Sequence, residues 1–319
     1  MTFRYIIRPP SILTTPRLLK DALGARRTLA WPGSSTRKPS WEKDFFLTYP
    51  PVEELEEYAE SIRRPSQQIL PTWRMDRSNR INISNGPAES LSVQRVLGTY
   101  TSCREFASST KPIQRRIISS LGLPIPWTCI SSRSSEGSFG RSIYSTTPQH
   151  TVDLESPQPN VEPSNPAKYI VRPYRHTAGQ GYRLTSSPTD FEEGREYIQE
   201  VYPKNHEYRV ITVRGEPLIT LYKRRPEGLA QDQPWNHANG SNFVTVLNPD
   251  NNRLRHTDIY ERIRAAGLLK HLDLVGIDVM IANLGQYVIT EFNLCPAITI
   301  EQNLQRIKEH VFQGSVSDR

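Results

Sequence analysis

The chain is short of cysteine, of apolar residues in general and of long apolar runs. Its 319 residues include three cysteines, Cys103, Cys129 and Cys295. An odd number without paired spacing argues against a disulfide framework or a zinc site, and for a reducing compartment. Apolar residues make up 36% of the chain, where about 45–50% (glycine included) is usual for a globular protein. No apolar run reaches about 18 residues, so no membrane span is expected. No run of basic residues forms an arm or tail. The net charge is nevertheless +7, from 40 basic and 33 acidic residues. That scattered excess suits anionic ligands such as phosphates and does not by itself argue for nucleic acid.

Proline is plentiful, at 26 residues, so much of the chain is expected in loops and the core is concentrated elsewhere. The length fits two domains or one large α/β domain with lobes. The first 30 residues hold six basic residues and one acid, Asp21. They read either as a targeting segment or as a strand and helix opening a domain.

Hydrophobic spacing predicts strands at Phe3–Ile7 and Arg80–Ile83 and helices at Arg17–Leu23 and Val52–Ile62. A helix running through Ile113, Ile117, Ile118 and Leu121 ends at Gly122. Residues 129–167, rich in Ser, Thr and Pro, read as a long loop or flap. A strand at Lys168–Arg172 follows, then a helix at Pro188–Tyr197 and a short extended segment Gln199–Tyr202. A hairpin of Tyr208–Val213 and Pro217–Lys223 turns at Arg214-Gly215. Phe243–Leu247 is a strand, and Asp258–Leu272 a helix with a capping box of Asp258 and Glu261. Strands Leu274–Ile281 and Tyr287–Asn293 precede a closing helix, Ile300–His310.

The apolar stretch Val288-Ile-Thr-Glu291-Phe-Asn293-Leu-Cys-Pro296 carries a carboxylate and an amide two positions apart, which strands disfavour. A short connection rich in Asn and Gly joins it to the preceding strand as an antiparallel hairpin. A turn centred on Leu284-Gly285 sets Asp278 opposite Glu291, and alternation puts Asn293 on the same face as Glu291. Opposed carboxylates repel. A hard cation resolves the conflict, because Mg²⁺ binds through one or two carboxylates plus substrate phosphates. A solvated hairpin face is the plain alternative.

Other segments carry weaker signals. The loop after Arg172 holds Gly179 and Gly181, and glycines let backbone amides approach phosphate. It lacks the Gly-Lys-Ser/Thr of a P-loop, and an ordinary hairpin turn explains it as well. Gln199, Glu200, Val201 and Tyr202 present backbone groups and a carboxylate suited to a purine and ribose, or form an ordinary strand. Arg209 and Lys223 lie near strand ends where solvation is their plain role. Asn236 lies in a polar loop, Trp235 to Ser241. Cys295 reads as a small buried hydrophobe and not as a nucleophile.

In this order, the pieces resemble the ATP-grasp superfamily. They resemble its ribosomal-protein glutamate ligase (RimK-like) branch and, more closely, an ATP-grasp type common in bacteriophage genomes. Gly276-Ile-Asp278 with Glu291-Phe-Asn293-Leu-Cys-Pro296 carries the resemblance best, within a match from Lys168 to Val311. Ser108-Ser109-Thr110-Lys111 and Gly122-Leu-Pro124-Ile-Pro126 resemble the family's entry to its first lobe.

The resemblance implies an α/β (α+β) ATP-grasp fold, two lobes holding ATP between them behind a small α/β N-terminal domain. The implied divisions are 1–105, 106–198 and 199–319. It implies Asp278, Glu291 and Asn293 as ligands of one or two Mg²⁺, with Mn²⁺ the alternative. Lys111 and Arg172, with Gly179 and Gly181, would contact phosphates, and Lys223 would lie near the nucleotide. Gln199 to Tyr202 would be the adenine and ribose hinge, and Arg209 and Asn236 would face the acyl-phosphate end.

The implied activity joins a small-molecule or peptide carboxylate to an amine with ADP and phosphate as products, in the cytoplasm (the host's, if phage-encoded). Two other readings stand beside it: a nucleotide-binding module without ligase activity, and an enzyme modifying a nucleic acid or phage component. The sequence departs from the family pattern at Arg172, where most members have Lys, and at Ala297, where Gly is usual. Residues 129–167 are long for the lobe, and residues 1–105 match only in coarse pattern.

Overall fold

The computed structural model describes residues 3–31, 39–40, 43–51, 54, 99–133, 139–144, 169–175, 181–229, 233, 235, 239–247, 252–282 and 285–313. Helices and three sheets make a mixed α/β protein. The chain divides into two compact units, residues 1–107 with 297–319, and residues 108–296.

In the first unit β1 (Tyr5–Arg8) lies between β2 (Arg27–Ala30) and β3 (Phe45–Phe46), parallel to both. The helix Thr14–Leu23 connects β1 to β2 and buries Leu19 and Leu23. It stops at Gly24, whose left-handed φ of 65° suits a residue without Cβ. The closing helix Glu301–Gln313 buries Leu304, Ile307 and Val311. Asp44, fully buried, accepts from both Arg4 nitrogens and from the backbone N–H of Tyr5 and Ser40, so its charge is satisfied locally. The expected strand Arg80–Ile83, and the expected helix Val52–Ile62 apart from Glu54, lie outside the described residues.

The second unit opens with the helix Lys111–Ser120, with proline in its first turn, where no N–H is missed. Gly122 follows with φ 74°, as its predicted end requires. A five-stranded antiparallel sheet then runs in the order β5-β4-β8-β6-β7. Its strands are β4 (Thr128–Arg133), β5 (Phe139–Tyr144), β6 (Tyr169–Pro173), β7 (Arg183–Thr185) and β8 (Glu196–Glu200). Two expectations fail here.

Residues 128–133 and 139–144 are paired strands and not a loop, and the rest of the expected loop 129–167 lies outside the described residues. The polar side chains that hide the pattern are bonded within the fold: Ser131 Oγ accepts from the Gly194 N–H at 2.7 Å, and Thr128 donates to Pro126 O at 2.9 Å. Residues 188–197 form turns and the start of β8 instead of a helix. Arg183 draws Asp190 and Glu196 to one guanidinium, which a helix through both would not allow, and Phe191 drops into a core of Trp127, Cys129, Tyr169, Val171 and Ile198.

The remaining sheet is also antiparallel, in the order β11-β10-β9-β12-β13. Its strands are β9 (His206–Val213), β10 (Glu216–Arg224), β11 (Asn242–Thr245), β12 (Val275–Ile281) and β13 (Tyr287–Asn293). Arg214 and Gly215 both take positive φ, 51° and 79°, the geometry of a two-residue hairpin turn. The expected helix Asp258–Leu272 breaks in two: an α-helix Ile259–Ala265 and a 3₁₀ turn Gly267–His271. Ala266 is extended at ψ 100°, just before Gly267. Asp258 does not cap with its side chain, because its carboxylate is taken by Tyr287 and Arg262.

Candidate functional site

One face of the β9–β13 sheet collects charge. Alternation sends Ile277 and Val279 into the core and Gly276 and Asp278 to the other side. Asp278 stands between Arg209 on β9 and Glu291 on β13, in register with both. The direct Asp278–Glu291 pairing expected from the hairpin is therefore present. Arg209 grips Asp278 with two bonds, Nε to Oδ1 at 2.5 Å and Nη2 to Oδ2 at 2.8 Å. Lys111, at the start of its helix, reaches Glu291 Oε1 at 2.5 Å. With the Asn293 amide oriented by its neighbours, Nδ2 donates to Glu291 Oε1 at 2.9 Å and Oδ1 accepts from Arg209 Nη2 at 3.0 Å. Lys111, Glu291, Asn293, Arg209 and Asp278 thus form one chain of bonds. Burial pushes the Asp278 carboxyl up, but the charge and hydrogen bonds of Arg209 outweigh it, and the net direction is below 3.8.

Arg209 is held from three sides. Its guanidinium lies 4.4 Å from the centre of the Phe243 ring. Its stem runs over Gly276, where a Cβ would lie 3.1 Å from Arg209 Cδ and 2.9 Å from Pro296 Cβ. The glycine is needed for this close approach, not for an unusual φ. Gly276→Ala is expected to cost about 1–3 kcal/mol, typical of overpacking. Its unfolding midpoint should fall; an unchanged midpoint would show that Arg209 and Pro296 yield freely.

A second ionic group adjoins the first. Glu207, two residues before Arg209 and on the same face, is buried between Lys204 and Lys223 Nζ, the latter at 2.8 Å. Lys204 also stacks on Trp235, 4.9 Å from the ring centre. Burial lowers the Lys204 ammonium's pKa, and Glu207 opposes that shift. Lys111, Lys204, Arg209 and Lys223 therefore outnumber Glu207, Asp278 and Glu291 by one positive charge, and Arg172 is close enough for its charge to be felt at Lys204.

The other expected residues are placed as follows. Arg172 lies on β6 opposite Tyr197, its guanidinium 5.5 Å from the Tyr182 ring. Gly181 has φ 66°, and a Cβ there would meet Pro173 Cγ at 2.5 Å, so the glycine has a structural reason. Gln199 is buried, and its Oε1 accepts from Arg115 Nη2 at 2.7 Å. Glu200 Oε1 accepts from the Trp127 N–H at 2.8 Å, so one carboxylate oxygen is already engaged. Val201 and Tyr202 follow β8, and burial, then Glu200, pushes the Tyr202 phenol up to about 12. Gly179 and Asn236 lie outside the described residues. Cys295, expected to be buried, is half-buried, and burial pushes its thiol up to about 12, which disfavours the thiolate at neutral pH.

Glu207, Lys204 and Arg115 were not singled out by the sequence. Glu207 had a signal, since period two from Arg209 sets it on the same face. Arg115 lies one helical turn beyond Lys111, but nothing in its neighbours announces burial.

The chemistry of the donors fits a hard cation. Among the described residues no group of three His, Cys, Asp or Glu forms a metal cluster. Two carboxylates and one amide are on one patch, leaving further oxygens to come from phosphate and water, as is usual for Mg²⁺.

No protein-family model and no curated protein matches the chain. Solved structures are similar in backbone course. The ATP-grasp ligase PsnB, complexed with a phosphomimetic variant of its minimal precursor, Mg and ADP, is 12% identical with a TM-score of 0.49, over 98% of this chain and 99% of its own. The macrocyclase MdnC with precursor peptide MdnA, from Microcystis aeruginosa, is 13% identical with a TM-score of 0.47, over 98% and 100%. The D-cycloserine synthetase DcsG is 12% identical with a TM-score of 0.48, over 97% and 98%. Among the described residues no helix is long and apolar enough to cross a membrane.

Proposed function

We propose that the chain is an ATP-grasp enzyme, near the RimK-like and bacteriophage branches, that joins a carboxylate to an amine at the expense of ATP. The observation that carries this reading is the face-to-face pairing of Asp278 and Glu291, each held by a cation, beside an excess of positive charge. In the proposed reaction the terminal phosphoryl group of ATP passes to a substrate carboxylate, and an amine then displaces phosphate from the acyl phosphate. Asp278, Glu291 and Asn293 would hold Mg²⁺ (Mn²⁺ the alternative), which supplies charge neutralisation at the phosphates.

The chain's own residues do the rest. Lys111, Lys223 and Arg172 bind phosphate oxygens. Arg209, fixed by Phe243 and Gly276, is aimed at the transferred group, where preorganised charge is most effective. Gln199 to Tyr202 would line the base end, and by the family resemblance Asn236 would serve the acyl-phosphate end. Residues 106–198 and 199–319 would be the two lobes, behind an N-terminal domain of 1–105. The acid is a small molecule or peptide.

Thermal unfolding with ATP and Mg²⁺ tests the reading. At 100 times the dissociation constant, ligand should add about 2.7 kcal/mol, several degrees of midpoint. The shift should require both components, and its absence would sink the proposal. A second reading has one specific observation in its favour. Both carboxylates already carry a cation, so the ionic face is satisfied without metal, as a nucleotide-binding module lacking ligase activity would allow. Phosphate release with a panel of acids and amines separates the two; binding without release selects the module.

A further inference from the structure

We infer that Arg115 is a nucleotide-binding residue whose buried guanidinium receives an anionic phosphate oxygen. The inference rests on the nucleotide reading above and adds to it a residue of the Lys111 helix. Arg115 is only 4% exposed. A guanidinium carries five N–H donors and is always charged. Here Nη2 donates to Gln199 Oε1, while Nε and Nη1 meet no acceptor. One donor on Nε and two on Nη1 are thus unspent. Among the described residues no carboxylate pairs with Arg115; its charge is relieved by the Gln199 oxygen and by the Tyr197 ring, 5.6 Å away.

A buried cation without a counter-charge is costly, and an apolar side chain of similar length would fill the same space without that penalty. Its position gives the charge a use. Lys111 and Arg115 are four residues apart and share one helix face. Lys111 reaches Glu291 on β13, and Arg115 reaches Gln199 on β8. A nucleotide with its base at Gln199 to Tyr202 and its terminal phosphates at Glu291 would run past Arg115. A phosphate oxygen beside Nε or Nη1 would supply both the missing charge and the missing acceptor, a charge-assisted bond of the kind for which Arg is suited.

The test uses the full chain and titration calorimetry with ATP plus Mg²⁺, and with adenosine. R115M should weaken ATP about 10- to 100-fold, the range for hydrogen bonds to a charged group, and leave adenosine within about twofold. R115K keeps the charge but not the planar fork, so it should fold normally and still bind ATP at least about fivefold more weakly. ATP affinity unchanged in R115K or R115M overturns the inference. Equal losses for ATP and adenosine also overturn it, because Arg115 would then merely prop Gln199. A wild type that binds neither ligand removes the nucleotide reading itself, whereas a wild type that binds both while the variants match it removes only Arg115.

Discussion

Glu291→Gln is expected to lower ATP-dependent turnover at least about a hundredfold, the scale seen when one electrostatic stabiliser is removed from a reaction centre. Folding should hardly notice. The Lys111–Glu291 pair is partly exposed, at 21% and 28%, so its loss is worth about 1 kcal/mol or less. Gln also keeps an oxygen for Lys111 and Asn293. Turnover and the unfolding midpoint, measured on the same preparation, separate the two roles. A large midpoint drop with turnover to match would make Glu291 a structural residue. Unchanged turnover would remove it from the metal set.

Arg209→Met should cost about 3–5 kcal/mol of stability, because it leaves the Asp278 carboxylate, 14% exposed, without its partner. The pH dependence gives a sharper signature. In the wild type the Asp278 pKa is lowered on folding. Its stabilising contribution is therefore present above the ordinary value of 3.8 and is lost as pH falls through the folded-state value. Without Arg209, burial, the largest influence on Asp278, is opposed only by the charges of Lys223 and Lys111, and the carboxyl is expected to rise. The sign then reverses: the variant is penalised where Asp278 must ionise, and regains stability as pH falls through the raised value. Denaturant midpoints for both proteins between pH 4 and pH 8, roughly the span in which such a group titrates, should converge toward the acid end. A constant difference across that range would show that Asp278 does not depend on Arg209.

Strand alternation and a short Asn- and Gly-containing turn point to the facing carboxylates, but the pair forms only because two irregularities compensate. Next to the turn, Ile281 pairs with Tyr287, one step off the expected register, and an extra residue, Thr290, restores it before Glu291. Strand β4 was not legible, since a serine or threonine bonded inside the fold looks the same in sequence as one in a loop. The supposed helix 188–197 failed on distant partners, Arg183 and the core around Phe191, which local spacing does not contain. Glu207 was missed because its burial depends on two lysines, one of them across the hairpin. Arg115 was missed for the same reason: polarity argues for the surface.

The bulge at Thr290 makes the chemistry of this face a matter of counting. Leu218 plays the same part on β10, where the register shifts between Pro217 and Ile219 and so brings Lys223 opposite Glu207. Removing either residue would change no charged side chain. It would also leave Glu291 opposite Asp278 and Lys223 opposite Glu207, because Thr290 and Leu218 are each the residue left over where their neighbours pair. Related chains should therefore tolerate varied residue types at 218 and 290, and the loss of either, whereas a one-step slip of the whole pairing would turn Glu291 or Lys223 to the opposite face.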